Sequence, residues 1–211
     1  MRFQDRGHAG RLLAAKLKHL RAANPIVLGL TRSGIEVAFE VARALEAPLD
    51  LIVVRKVGLP GSGESAGGAI AEGGVTFLGP AVPQPPDELV AELARRVQLY
   101  RAEFPANRLG GRTVIVVDDF AITGATARAA ARAARQRGAA RVVLAAPVLA
   151  SEAAAQVGGD YDEVVAVEVL APAQSALDSY QRLEETTDRA ALDFLRRARL
   201  EWRTVALPAV T

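Results

Sequence analysis

Two neighbouring carboxylates, Asp118 and Asp119, stand directly before a short segment of small and hydroxylated residues. That segment contains Thr123, Gly124 and Thr126. Hydroxyl and backbone N–H groups can donate hydrogen bonds to an anion, and a glycine lets the backbone approach that anion closely. The carboxylates can accept hydrogen bonds from sugar hydroxyls. These residue types in this order favour a ligand that is a sugar with a phosphate at one end and a free diol nearby.

The flanking residues predict the elements that position this segment. Val114 to Val117 are β-branched, which is typical of a strand buried on both faces. The alanine- and arginine-rich run from Ala127 to Arg137 predicts a helix. A turn between a strand and a helix presents free N–H groups, and the helix dipole favours negative charge there. On this motif alone, the Walker B element of a nucleotide hydrolase and an ordinary strand-to-helix turn stay open as alternatives.

A second turn of the same kind occurs nearer the N-terminus. Pro25 to Leu30 predicts a buried strand, and Ile35 to Glu46 predicts a helix. The turn between them reads Thr31-Arg32-Ser33-Gly34, and a guanidinium such as that of Arg32 suits phosphate oxygens. A plain turn with a surface arginine fits the same residues.

A third candidate segment follows the strand predicted over Leu49 to Val54, which ends at Arg55 and Lys56. Residues 57–74 are too rich in glycine for regular structure, and a loop this long in a compact domain is usually functional, often a lid. Residues 58–65 have the spacing of a P-loop, but Glu64 stands where the phosphate-binding lysine should be. A carboxylate there repels phosphate, which excludes the nucleotide hydrolase and weakens the Walker B interpretation.

The whole chain alternates predicted strands and helices, which indicates an α/β fold with a doubly wound, mainly parallel sheet flanked by helices. A short strand (75–78) and a helix (87–104) precede the central motif; a strand (141–147), a helix (151–157) and a strand (163–169) follow it. We expect a core over 1–169 and a C-terminal segment over 170–211. Both turns lie at carboxyl ends of strands, where such sheets bind ligands.

The run Val-Ile-Val-Val-Asp-Asp-Phe-Ala-Ile-Thr-Gly-Ala-Thr resembles the ribose-phosphate signature of the type I phosphoribosyltransferases. The resemblance implies that Asp118 and Asp119 hold the ribose 2′- and 3′-hydroxyls of phosphoribosyl pyrophosphate. It assigns the 5′-phosphate to the loop of Ala121, Ile122, Thr123, Gly124, Ala125 and Thr126, and the pyrophosphate to the turn of Thr31, Arg32, Ser33 and Gly34. Many relatives have Pro-Arg-Gly-Gly at that turn, where this chain has Thr-Arg-Ser-Gly. Arg55 and Lys56 resemble the start of the mobile catalytic loop of adenine-type and orotate-type members.

The resemblance also implies an activity and a C-terminal hood over the sheet edge. The enzyme would displace pyrophosphate by a nitrogen nucleophile, a nucleobase, as in nucleotide salvage. Mg²⁺ would be bound mainly through the substrate, with no metal ligands expected from protein side chains. Relatives have an aromatic-rich segment in the C-terminal region, and Tyr180 is the only part of it present in this chain. The acceptor base therefore stays open. The alternative is a regulator that binds phosphoribosyl pyrophosphate without turnover; Arg55, Lys56 and the lid favour the enzyme.

Composition limits the remaining functions. The net charge of +2 argues against nucleic-acid binding through bulk charge, and we interpret Arg128, Arg132 and Arg135 as a solvated helix face rather than a nucleic-acid stripe. The chain has no cysteine, no apolar run long enough for a bilayer and no signal-peptide core. We therefore expect a cytoplasmic protein, and the resemblance suggests a homodimer. His8 and His19 lack companion ligands, so they are interpreted as surface or packing residues rather than as a metal site. Trp202 is interpreted as a packing or dimer residue.

Overall fold

The computed structural model describes residues 2–58, 66–80, 82–172 and 174–201. The helices are α1 (Arg6–Lys16), α2 (Gly34–Leu45), α3 (Asp87–Arg101), α4 (Ala125–Gln136), α5 (Ser151–Val157) and α6 (Asp188–Glu201). The strands are β1 (Ile26–Leu30), β2 (Leu49–Ile52), β3 (Val54–Gly58), β4 (Ala66–Ala71), β5 (Val75–Leu78), β6 (Thr113–Val117), β7 (Phe120–Ala121), β8 (Arg141–Ala150) and β9 (Glu163–Leu170). Two 3₁₀ helices cover Lys18–Ala23 and Ala176–Ser179.

The central sheet is parallel throughout, with strand order β2-β1-β6-β8-β9 and the short β7 paired to β8 on its β6 side. Side chains of β6 alternate between two buried layers. Val114 and Val116 pack against α4, and Ile115 and Val117 pack against α1 and α2. Helices therefore cover both faces of the sheet, and the predicted doubly wound α/β fold is confirmed.

The prediction for residues 49–74 was wrong in two respects. The strand that begins at Leu49 leaves the central sheet after Ile52, and Arg55 and Lys56 lie in β3, which belongs to a second, antiparallel sheet of order β3-β4-β5. Residues 66–71, predicted as irregular, form the middle strand of that sheet. Pairing with strands on both sides supplies their backbone hydrogen bonds, which outweighs the low strand propensity of glycine. Residues 59–65, including most of the P-loop-like spacing and Glu64, lie outside the described residues.

Helix α4 joins the two sheets. Its small side chains, among them Ala127, Ala130 and Ala134, are fully buried between the central sheet and the β3-β4-β5 sheet. The arginines of its other face are engaged with neighbouring groups. Arg128 donates to Asp160 at 2.6 Å and lies over the Phe77 ring, Arg132 lies near the same carboxylate, and Arg135 donates to Asp162 at 2.6 Å.

The N-terminal segment is anchored by the C-terminal one. Phe3 forms a parallel bridge with Tyr180, and their rings lie 5.4 Å apart. Asp5 caps α1 by accepting a hydrogen bond from the His8 N–H at 2.8 Å. The arrangement brings the first turn of α1 beside the residues that follow the 3₁₀ helix at 176–179.

Within the described ranges no helix has the length and apolarity needed to cross a bilayer. Trp202 lies outside those ranges.

Candidate functional site

The two predicted turns lie side by side because the strands before them are neighbours. Leu28 pairs with Val116 and Gly29 with Val117, so β1 and β6 end at the same edge of the sheet. The turn at 31–34 follows β1, and the segment at 118–126 follows β6. The Thr31–Arg32 peptide bond is cis. The carboxyl edge of the parallel sheet thus brings both predicted segments into one place.

A cleft of about 640 Å³ opens at this edge. Its volume falls in the range of small-molecule sites. The predicted residues that line it are Thr31, Arg32, Ser33, Arg55, Lys56, Asp118, Asp119, Ile122, Thr123 and Thr126. Three residues that were not predicted as site residues, Arg96, Phe120 and Leu177, line it as well. The four other predicted residues, Gly34, Ala121, Gly124 and Ala125, do not line the cleft.

Two helices begin at the cleft without a side-chain cap. Ser33, before α2, makes no side-chain capping hydrogen bond, and Gly124, before α4, has no side chain. The positive ends of two helix dipoles therefore lie at this edge of the sheet without a capping side chain from those residues. Gly124 has a φ of 72°, and a Cβ there would lie 2.8 Å from Val157 Cγ1, which explains why the α4 turn requires glycine.

The two acids of the cleft differ in environment. Asp119 is buried, and its carboxylate accepts hydrogen bonds from Arg6 Nε at 2.9 Å and from the Phe120 N–H at 3.0 Å. Asp118 is partly buried and accepts a hydrogen bond from the Asp119 N–H. Burial, and then the negative charge of Asp119, raise the pKa of Asp118 well above its usual value, while Lys56 opposes the rise. Both carboxyl groups retain lone pairs for a ligand's hydroxyl groups.

Cationic side chains line the same cleft. The side chains of Arg55 and Lys56 form no hydrogen bond or ion pair with the other described residues, and the buried Arg55 Nε has no hydrogen-bond partner among them. Burial, followed by the positive charge of Arg96, lowers the pKa of Arg55. Arg32 pairs with Glu185. Three guanidinium groups and an ammonium in one cleft favour a polyanionic ligand, because an anion would relieve their mutual repulsion.

The residues missed from sequence add a cation and an apolar patch. Arg96 lies on α3, where its Nε donates to Glu92 at 2.7 Å and its side chain is only 12% exposed. The one sequence feature that could have indicated Arg96 was its position beside the apolar face of the predicted helix. Ile122 and Leu177 are exposed large apolar side chains, and Phe120 lines the cleft beside them. Leu177 is separated from the central motif by about fifty residues, so no local pattern could place it there.

A family model described as a phosphoribosyl transferase domain matches residues 6–180. Two curated proteins of Mycobacterium tuberculosis, from strains CDC 1551 and H37Rv, are each provisionally named phosphoribosyl transferase and are 41% identical to the chain over 207 residues. The matches cover 93% of this chain and 47% of each relative, so the chain spans about half the length of these relatives. The crystal structure of TT1426 from Thermus thermophilus is 42% identical, with a TM-score of 0.76, and the match covers 96% of this chain and 99% of that one.

The fold and the cleft together define a doubly wound α/β protein with acids and cations at the carboxyl edge of its sheet. The family match extends over most of the chain, and the chain belongs to the type I phosphoribosyl transferase family. This finding confirms the resemblance carried by residues 114–126.

Proposed function

We propose that the protein transfers the phosphoribosyl group of phosphoribosyl pyrophosphate to a nitrogen nucleophile, a nucleobase, and releases pyrophosphate. One observation carries the proposal: the acid pair Asp118 and Asp119 lines the same cleft as the cations Arg55, Lys56 and Arg96. A sugar that carries a diol and phosphates at two positions matches this distribution of charge. Nucleotide salvage is the process that such a reaction would serve.

The substrate groups are assigned from the contacts of the cleft. The ribose hydroxyls would donate to Asp118 and Asp119, and the 5′-phosphate would accept from Thr123, Thr126 and the first N–H groups of α4. The pyrophosphate would lie at the turn of 31–34, beside the cations. The leaving group gains negative charge as the bond to the sugar breaks. Preorganised cations therefore stabilise the transition state more than the ground state.

A magnesium ion would supply further charge neutralisation at the pyrophosphate. Within the described ranges no group of three or more histidine, cysteine or carboxylate side chains could hold a metal. The ion would be held mainly by oxygen atoms of the substrate and by water, since Asp118 and Asp119 are assigned to the ribose hydroxyls. The protein's own part is to orient the sugar and to exclude water.

The acceptor would approach over the apolar patch of Phe120, Ile122 and Leu177. Planar, weakly solvated bases suit such a surface, because stacking and burial stabilise them without charge. Leu177 reaches the cleft from the segment that begins at residue 170, and we propose that this segment acts as the hood expected from the family resemblance. The patch contains no charged group that would select one base. We therefore propose nucleobases as the class of acceptor and do not name one base.

The test is pyrophosphate release from phosphoribosyl pyrophosphate and Mg²⁺ across purine, pyrimidine and nicotinate-type acceptors. We expect release with at least one acceptor and a loss of turnover in Lys56→Ala that exceeds the loss of ground-state binding. Lys18→Ala is the matched control, because Lys18 is exposed and outside the cleft. Tight binding of phosphoribosyl pyrophosphate without release from any acceptor would support the regulator instead, and absence of binding would refute both.

A further inference from the structure

Arg6 is a buried arginine that reaches the acid pair from the opposite end of the chain. It lies in the first turn of α1, and only 6% of the residue is exposed. Its Nε donates to Asp119 Oδ2 at 2.9 Å, and its Nη1 donates to the backbone oxygen of Glu184. The side chains of this ion pair are 7% and 5% exposed, so water screens the interaction little.

The hydrogen bonds around Asp119 determine which of its lone pairs remain. Arg6 occupies one site on Oδ2, and the Phe120 N–H occupies one site on Oδ1 at 3.0 Å. A carboxylate offers about four lone-pair sites, so about two remain for the hydroxyls of a diol. The Tyr180 hydroxyl donates to the backbone oxygen of Asp119 at 2.8 Å and fixes the main chain at the same residue.

The other charged groups of this region make Arg6 the main counter-ion of Asp119. Asp118 and Glu36 are neighbouring acids, and burial raises the pKa of both. The positive charge of Lys56 acts on Asp118. Without the guanidinium, this buried carboxylate would lack its ion-pair partner, which is costly where water screens the charge little.

We propose that Arg6 is a positioning residue that holds Asp119 as an oriented carboxylate, ready to accept the ribose hydroxyls of phosphoribosyl pyrophosphate. The inference rests on the proposed function, and it assigns unequal roles to the two acids. Asp119 is an acceptor whose orientation is fixed by Arg6. Asp118 is an acceptor whose side chain reorients when the ligand binds. Arg6 does not line the cleft, and it acts on the ligand through Asp119.

A double-mutant cycle measured by calorimetry with phosphoribosyl pyrophosphate and Mg²⁺ tests this assignment. Arg6→Gln should raise the dissociation constant at least about tenfold in the wild-type background, the effect of one lost charge-assisted hydrogen bond. The same change should have less than about a threefold effect in the Asp119→Asn background. In the Asp118→Asn background the tenfold effect should persist. Arg6→Lys should recover part of the affinity, because it retains the charge but loses the planar fork.

Arg182→Gln is the matched control. Arg182 also joins the N-terminal segment to the C-terminal one, through Asp5 at 2.9 Å, but its side chain is 69% exposed and does not hydrogen-bond to Asp119. We expect its affinity to equal that of the wild type. If Arg6→Gln does not fold, the comparison of Asp119→Asn with the Arg6→Gln/Asp119→Asn double variant still decides the matter, since both partners are neutral in the double variant.

The outcomes separate this inference from the proposed function. An equal loss of affinity in all three backgrounds would mean that Arg6 only supports the fold, and the inference would fall. The same conclusion follows if the double variant binds much more weakly than Asp119→Asn. Absence of binding by the wild-type protein would refute the proposed function itself, and the inference with it.

Discussion

The first residue of α2, Gly34, lies so close to the last residue of β6 that a Cβ on Gly34 would stand 2.6 Å from the Val117 carbonyl oxygen. The same Cβ would lie 3.1 Å from the Asp118 Cα. This approach brings the turn after β1 against the acids after β6. The glycine does not line the cleft, yet it sets the separation between the two halves of it.

Gly34→Ala is therefore expected to destabilise the protein by about 1–3 kcal/mol, the range for forced overpacking. It should also weaken binding of phosphoribosyl pyrophosphate, because backbone atoms must move apart to admit the methyl group. Gly110→Ala is the control, since nothing lies within 4 Å of a Cβ at that position. Thermal unfolding and calorimetry of both variants provide the measurement, and equal behaviour of the two would contradict the geometric argument.

Asp118→Asn is expected to stabilise the free protein while it weakens the ligand complex. The pKa of Asp118 is raised in the folded state, so the folded state binds more protons than the unfolded one, and stability falls as pH rises through that interval. The gain from asparagine should be absent below the ordinary value of 3.8 and should grow above it. A gain of 1 kcal/mol would raise Tm by about 2–4 °C. Calorimetric scans at several pH values would show a constant difference if this explanation is wrong.

Arg96 should contribute to pyrophosphate binding and its neighbour Arg95 should not. Both arginines donate to Glu92, but only Arg96 lines the cleft. Arg96→Gln is expected to lower the affinity for inorganic pyrophosphate about tenfold, the effect of a lost charge-assisted contact. Arg95→Gln removes the same charge from an exposed position and should leave the affinity within about twofold. Titration at two salt concentrations measures both, and equal losses would show a general charge effect.

A buried ion network should stabilise the junction of the two sheets. Arg101 donates to Asp50 at 2.7 Å and to Glu72 at 2.6 Å, and both acids are buried. Arg101→Ala leaves Arg137, 3.9 Å from Asp50 and 3.1 Å from Glu72, as the remaining cationic partner of the two buried acids, and it is expected to cost about 1–3 kcal/mol of unfolding free energy. Arg196→Ala removes a solvent-screened surface pair with Glu103 and should cost much less than Arg101→Ala. Denaturant unfolding of the two variants would refute this ranking if the costs were equal.

Local sequence predicted the central sheet well, because strands that are buried on both faces consist of continuous runs of apolar residues. The β-branched run over β6 and the turn residues after it identify a strand, a turn and a helix without knowledge of any partner. The parallel order then places the turns after β1 and β6 at one edge. The segment around β4 was predicted incorrectly, because its glycines act as a strand only when β3 and β5 pair with it.

The sequence by itself determined the class of fold, the two turns and the acid pair, since each depends on residues that are neighbours along the chain. The tertiary structure decided the rest of the cleft. Arg96, Leu177 and Arg6 come from three distant elements, and their roles follow from contacts that no local pattern encodes. Side chains far apart in sequence meet only after the sheet has fixed the directions of the elements that carry them, and this is why the partner of Asp119 is visible only in the folded protein.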